Sequence, residues 1–215
     1  MMVAGRFRLA GAVVLVAGVL ATGCTVGSGD VITESRDVSG FDEIVLLGSG
    51  DVMIDVTGTE SLEIEAEDNV MALLTSDVID GRLELGVEGS ITTTRGITYT
   101  ITAAELVGVT IRGSGDVNGT DIDGDSLEVT IEGSGSVDLT GTSSELTVRI
   151  SGSGDFDGQD LESATGTVTI DGSGGVLVNV TDDLTVTING SGDVEYMGDP
   201  VLHQTINGSG DVSRR

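Results

Sequence analysis

One pentapeptide pattern, Gly-Ser-Gly-x-(Val/Phe), recurs eight times in this chain, beginning at Gly27, Gly48, Gly113, Gly133, Gly152, Gly172, Gly190 and Gly208. From Gly113 onward the intervals are 20, 19, 20, 18 and 18 residues. Self-similarity at a fixed period marks a repeat architecture, in which each unit buries its apolar face only against its neighbours. Each late copy follows a strand-like run: LVGVTIR, SLEVTIE, ELTVRIS, TGTVTID, DLTVTIN and VLHQTIN. These runs are rich in Val, Ile and Thr, whose branched Cβ packs well on a pleated surface.

In the unit Leu127 to Thr140, Leu127, Val129, Ile131, Gly133, Gly135, Val137 and Leu139 fall on one side of a period-2 pattern. Glu128, Thr130, Glu132, Ser134, Ser136, Asp138 and Thr140 fall on the other. The apolar side is the expected core face, and the two glycines continue it through a bend with no room for Cβ. Turn residues such as Asp123-Gly124-Asp125 and Gly141-Thr142-Ser143-Ser144 mark a second bend in each unit. A coil of this length with an inward face of period 2 predicts an all-β, single-stranded, right-handed parallel β-helix (solenoid), with rungs of about 18–21 residues. At ~3.3 Å per residue the path around one rung is roughly 60 Å. A propeller blade needs about 40 residues, and a leucine-rich repeat needs a Leu and Asn ladder, so neither fits.

The 65 residues from Gly48 to Gly113 lack the corner motif. Strand-like runs persist there (SLEIEAE, RLELGVE, ITYTIT), so the coil is expected to continue for about three rungs with less regular turns. The arrangement of residues 66–100 stays open, and Asn69 to Thr75 could instead form a helical turn.

The N-terminus reads as an address and an anchor. Arg6 and Arg8 form a positive n-region, and Leu9 to Leu20 is an apolar run of twelve residues, too short to span a bilayer, which needs about 20. It ends in Leu20-Ala21-Thr22-Gly23-Cys24, which resembles the bacterial lipobox, with Ala21 where Leu is commonest. The expected division is a lipoprotein signal peptide over 1–23, a lipidated N-terminus and tether over 24–34, and the β-helix domain over 35–215. Cys24 is the sole cysteine, so no disulfide can form within the chain, and its place makes it the expected lipidation site. The protein is then exported and held by lipid on the outward side of the cell membrane.

The formal charge is −27, from 36 acidic residues and 9 arginines, with no lysine. Such a field repels phosphate backbones, and nucleic acid is excluded as a partner. Enzymes on this architecture need a basic clamp, or paired acids in a cleft with stacking aromatics. Outside the leader there are four aromatics (Phe41, Tyr99, Phe156, Tyr196) and one histidine, His203, in the last unit. Arg112 and Arg149 sit among acids at outward positions and read as surface ion-pair partners. No catalytic residue and no cofactor is expected.

The motif's fourth residue forms a broken series: Asp51, Asp116, Ser136, Asp155, Gly175, Asp193 and Asp211. Stacked carboxylates ~5 Å apart repel, so Asp51, Asp116, Asp155, Asp193 and Asp211 are weak candidates for a Ca²⁺ ladder. Acceptance of backbone N–H bonds at a tight turn is the preferred reading, since Ser136 and Gly175 interrupt the series.

The segment GSGDVITESRDVSGFDEIVLLGSGDVMIDVTGTESLEIEAEDN (Gly27 to Asn69) and the repeated TINGSGDV resemble the autotransporter adhesin head GIN domain. That family is common in bacterial lipoproteins and is similar in shape to bactofilin-like β-helices. The resemblance implies a right-handed β-helix and a cell-envelope setting, and it brings no catalytic or binding residues. The function expected is that of a non-enzymatic envelope lipoprotein, for adhesion or envelope organisation. A Ca²⁺-binding or carbohydrate-active surface protein is the alternative. The expected partners are the membrane, through Cys24, and an envelope polymer or protein. Self-association through the ends or faces of the β-helix also stands open, because an unpaired terminal rung invites strand addition unless Arg214 and Arg215 guard it.

Overall fold

The alternation in the repeats is the burial pattern of the folded chain. In the computed structural model, which describes residues 24–215, the run Asp116–Gly133 alternates exposed and buried positions through almost its whole length. The leader expected at 1–23 lies outside the described residues. In chain order the elements are β1 (Thr25–Val26), β2 (Val31–Arg36), β3 (Glu43–Gly48), β4 (Asp51–Val56), β5 (Ser61–Glu67), α1 (Asp68–Met71), β6 (Leu74–Ile79), β7 (Arg82–Val87), β8 (Ile91–Thr92) and β9 (Thr98–Ala103). There follow β10 (Gly108–Gly113), β11 (Asp116–Gly133), β12 (Ser136–Gly152), β13 (Asp155–Gly172), β14 (Gly175–Gly190), β15 (Asp193–Met197), β16 (Val201–Gly208) and β17 (Val212–Arg214).

From β10 onward the chain is a parallel solenoid of about five turns. Identical residue types stack in register: Val109, Val129, Val148, Val168 and Val186 form one inward column, and Ile111, Ile131, Ile150, Ile170 and Ile188 another. All ten are at most 1% exposed, so the core is a set of aliphatic columns along the axis. Each buried branched side chain contributes about 1.5–3 kcal/mol by leaving water, and each coil adds a further layer.

The corner glycines have distinct causes. The first of each motif has positive φ, between +133° and +154° from Gly48 to Gly208. A Cβ at Gly133 would stand 2.0 Å from the carbonyl oxygen of Gly113 in the preceding coil. The second glycine is the buried one, and a Cβ at Gly135 would stand 2.3 Å from the Gly115 carbonyl. Both are therefore set by the close approach of successive coils, more than by the bend alone.

The 65-residue interval does not hold three further rungs, which corrects the sequence-based expectation. Gly113 pairs directly with Gly48, so β3 and β4 are the coil immediately beneath β10 and β11. Residues between them fold beyond that first coil. β7 and β9 continue it in parallel under β3 and β4, and antiparallel strands close the stack: β6 on β7, β5 on β9, and β2 on β5. An antiparallel hairpin reverses the chain in a few residues, so it can end a parallel stack where another coil would only renew the open edge. The helical turn considered at 69–75 is present as α1, placed slightly earlier. The first motif copy, Gly27 to Val31, is not a corner of the stack; it lies against residues 67–69 of the cap. The segment 24–34, read from sequence as a tether, contributes β1 and the start of β2.

One buried polar group stands apart. Ser163 is 1% exposed, and its hydroxyl has no hydrogen-bond partner among the described residues. Its neighbour in the column, Ser143, donates to the Glu145 carbonyl at 2.7 Å, while the next residue in the column is Val180. Replacing Ser163 by alanine is expected to raise stability by about 1 kcal/mol, because an unsatisfied buried hydroxyl costs about 1–3 kcal/mol. The shift in urea midpoint measures it.

Candidate functional site

Two concavities are relevant to function. The first is an open trough of about 560 Å³ running along the solenoid beside the corner, with Asp116, Asp138, Asp155, Asp157, Asp193 and Glu195 among its lining residues. It is built by strand geometry: residues one and three places beyond the second corner glycine point outward, and parallel register repeats them in every coil.

The sequence-predicted column of Asp51, Asp116, Ser136 and Asp155 is real, with each residue paired to the next. Gly175 pairs with Asp193, and Asp211 follows beyond it. Three of the five carboxylates are engaged, however. Asp116 accepts from the Ser136 amide at 3.1 Å, Asp155 from the Gly175 amide at 2.8 Å, and Asp193 from the Asp211 amide at 2.9 Å. At the other steps, above Asp51, Ser136 and Gly175, the next amide turns to a glycine carbonyl: Asp116 to Gly50 at 3.1 Å, Asp155 to Gly135 at 3.1 Å, and Asp193 to Gly174 at 3.2 Å. The Asp is a stitch between coils, not a cap within its own turn. Among the described residues no group of three or more His, Cys, Asp or Glu side chains is disposed to hold a metal ion. Millimolar Ca²⁺ is accordingly expected to leave the thermal midpoint unchanged; a rise would restore the ladder reading.

Repulsion along the trough is visible at Asp138. Burial raises its carboxyl above the usual aspartate value, and Asp157 and Asp160 raise it further. Arg112 pairs with Glu132 at 3.0 Å and Arg149 with Glu128 at 3.4 Å, as outward surface pairs. His203 is exposed on β16 and is not among the residues lining the trough.

The second concavity, about 590 Å³, opens at the capped end, floored by Leu46, Leu74, Ile97 and Tyr99 and rimmed by the loop that carries β8. Burial pushes the Tyr99 phenol up to about 12, so it stays neutral. Cys24 is exposed near this rim, its Sγ 3.3 Å from the Thr92 hydroxyl, and β1 is held to the body by pairing with β8.

Residues 40–200 match the family model described as "Putative auto-transporter adhesin, head GIN domain". The chain belongs to this family. No curated protein matches it. Among solved structures, the head GIN chain is similar to a "putative adhesin" from Bacteroides fragilis, with 23% identity and a TM-score of 0.70 over 88% of this chain and 99% of that one. It is also similar to a "putative lipid binding protein" from Parabacteroides distasonis, with 21% identity and a TM-score of 0.62 over 90% and 100%. At these identities the likeness shows the shared solenoid fold.

In this head GIN domain one structural residue escapes sequence reading. Glu67 is fully buried, and its carboxylate gathers the Gly29 amide at 2.8 Å, the Thr94 amide at 3.0 Å and the Thr94 hydroxyl. It thereby fastens the first motif copy to the loop after β8. A Cβ at Gly27 would collide with that carboxylate. The Thr94 hydroxyl first, then the Thr94 amide, hold its pKa below the usual 4.5. A carboxyl depressed on folding contributes stability that is complete above its unfolded pKa and is lost as pH falls through the folded value. Glu67→Gln is therefore expected to loosen the clasp at neutral pH and to flatten the acid limb of the stability curve below pH about 4.5. Faster hydrogen exchange at the Gly29 and Thr94 amides, with the β12–β14 amides unchanged, checks the placement. With acids so abundant in the chain, nothing in the sequence sets this one apart.

Proposed function

We propose that the chain is an exported, lipid-anchored envelope protein, fastened to the membrane through Cys24, whose rigid acidic solenoid serves adhesion without catalysis. The observation that carries this reading is the match to an adhesin head family over residues 40–200. The leader pattern and exposed Cys24 support the proposed anchor. Pairing of β1 with β8 draws the anchored residue against the capped end, which leaves the acidic trough and far end directed outward. A trough of stacked carboxylates suits a cationic or cation-bridged surface polymer, with attraction that weakens as salt screens it.

Fractionation of cells producing the chain and its Cys24→Ala form tests the anchor: the first should sediment with membranes and the second appear free. Membrane retention of Cys24→Ala would overturn it. Cells displaying the protein should bind an envelope-polymer-coated surface more than cells without it. Charge reversal in the trough (Asp138→Lys with Asp157→Lys) should abolish the difference. Equal binding by producing and non-producing cells would overturn the adhesion reading.

A further inference from the structure

The capped and uncapped ends of the solenoid are not equivalent. At the capped end, Arg36 of β2 donates to the Leu74 carbonyl at 2.8 Å and the Met71 carbonyl at 3.2 Å, tying the closing strands together. At the other end β16 pairs with β14 on one side only, among the described residues. Its inward residues Leu202, Gln204 and Ile206 continue the columns of Leu184, Val186 and Ile188, with no coil above them among the described residues. Ile206 is 37% exposed and Val201 59% exposed.

Edge strands are ordinarily protected by charge. In this chain of 36 acids, the stretch Val201 to Gly210 (VLHQTINGSG) contains none and carries no arginine. The matching strand run of each inner coil bears at least one charge: Arg112 in the first, Glu128 and Glu132 in the next, Glu145 and Arg149 after it, then Asp171 and Asp183. The last strand run thus lacks the charge that the runs beneath it carry. The two nearby arginines are already paired, Arg214 with Asp199 at 2.8 Å and Arg215 with Glu195 at 3.9 Å, so neither leaves a free positive charge at this edge.

We infer that β16 is a self-association edge, on which a second copy of this chain docks end to end about a two-fold axis. An axis along the sheet normal reverses both the strand and the solenoid, so the two β16 strands meet antiparallel while inward faces stay inward. Inward residues then pair only when the register places like parity together. With the axis through Gln204, Leu202 of each copy faces Ile206 of the other, and the two aliphatic cores become one. Gln204 stands where every inner coil from β10 to β14 has valine, and it faces its own symmetry mate. An amide carries both donors and an acceptor, so two glutamines satisfy each other across the axis, as an isologous interface requires.

The test uses the chain carrying Cys24→Ser, so that no lipid gathers it into micelles, with mass measured by light scattering across protein concentration. A monomer–dimer equilibrium is expected, with more dimer at about 1 M salt, where the Debye length falls to about 3 Å and repulsion between the acidic bodies is screened. Gln204→Glu places two carboxylates face to face and should weaken the dimer by about tenfold or more, the 1.4 kcal/mol step expected for one close like-charge pair. The same charge added at mid-solenoid by Thr169→Glu should not. If Gln204→Glu fails to fold, hydrogen exchange of the Cys24→Ser chain decides: β16 amides should gain protection as concentration rises. Monomer at every salt, a dimer indifferent to Gln204→Glu, open-ended polymers or unprotected β16 amides in the dimer would each overturn the inference.

Discussion

Replacing Gly133 with alanine should destabilise the protein by about 2–6 kcal/mol, with a lowered urea midpoint and a shorter native lifetime. Two costs add. The residue holds φ at +148°, a conformation that strains a residue with Cβ by about 1–3 kcal/mol. The new methyl would also stand 2.0 Å from the Gly113 carbonyl oxygen, which is backbone fixed by its own coil, and overpacking of this kind costs about 1–3 kcal/mol. Gly58 provides the control. Its φ is +80° but a Cβ there meets nothing within 4 Å, so Gly58→Ala should show the backbone strain alone. Equal losses at the two positions would mean that coil-to-coil contact is not what holds glycine in the corner.

The second large effect is expected at Phe156. It stands in a column whose neighbours are Val137 and Val176, and it is 2% exposed. The space for its ring comes from its own coil. Asp138 pairs with Asp157, and the residue that follows is Leu139 in one coil but Gly158 in the other. A Cβ at Gly158 would stand 2.7 Å from the Phe156 ring. Val with Leu in one coil has become Phe with Gly in the next, with the same number of side-chain carbon atoms. Phe156→Ala should therefore cost about 3–5 kcal/mol, as cavity-forming truncations of buried aromatics do. Gly158→Leu alone should also destabilise, by overpacking. The pair Phe156→Val with Gly158→Leu should recover most of the loss, because it reproduces the pattern of the preceding coil. A double-mutant cycle reads the coupling directly, and additive losses would refute the exchange of volume.

The same pair shows why much of the core was legible in the chain itself. Inward positions follow from an alternation of period 2, and an interruption of that alternation by Gly or Phe does not move the face. The corner was legible too, though its cause was not. Sequence placed glycine at the bend, and it took the stacked carbonyls of Gly113 and Gly115 to show that the neighbouring coil forbids a side chain. The aspartate series was expected to accept N–H bonds at its own tight turn, but where it accepts them the donor is the next coil's amide, as Gly175 is for Asp155. An N–H has no sequence identity, so a bond to one leaves no pattern to read.

The Gly-Ser-Gly corner, the strand runs before it and their period of about 19 residues determine by themselves a solenoid with aliphatic columns and an acidic exterior. They do so because each coil's side-chain directions follow locally from the strand, whatever lies above or below. Which strand becomes the neighbour is a different matter. That Gly48 lies directly under Gly113, that residues 57–107 close the stack with antiparallel strands, and that Glu67 clasps the first motif copy were decided only in three dimensions. Parallel and antiparallel pairing bury the same alternating face, so alternation is silent between them; the choice is made by long-range pairing of hydrogen bonds that no local pattern encodes.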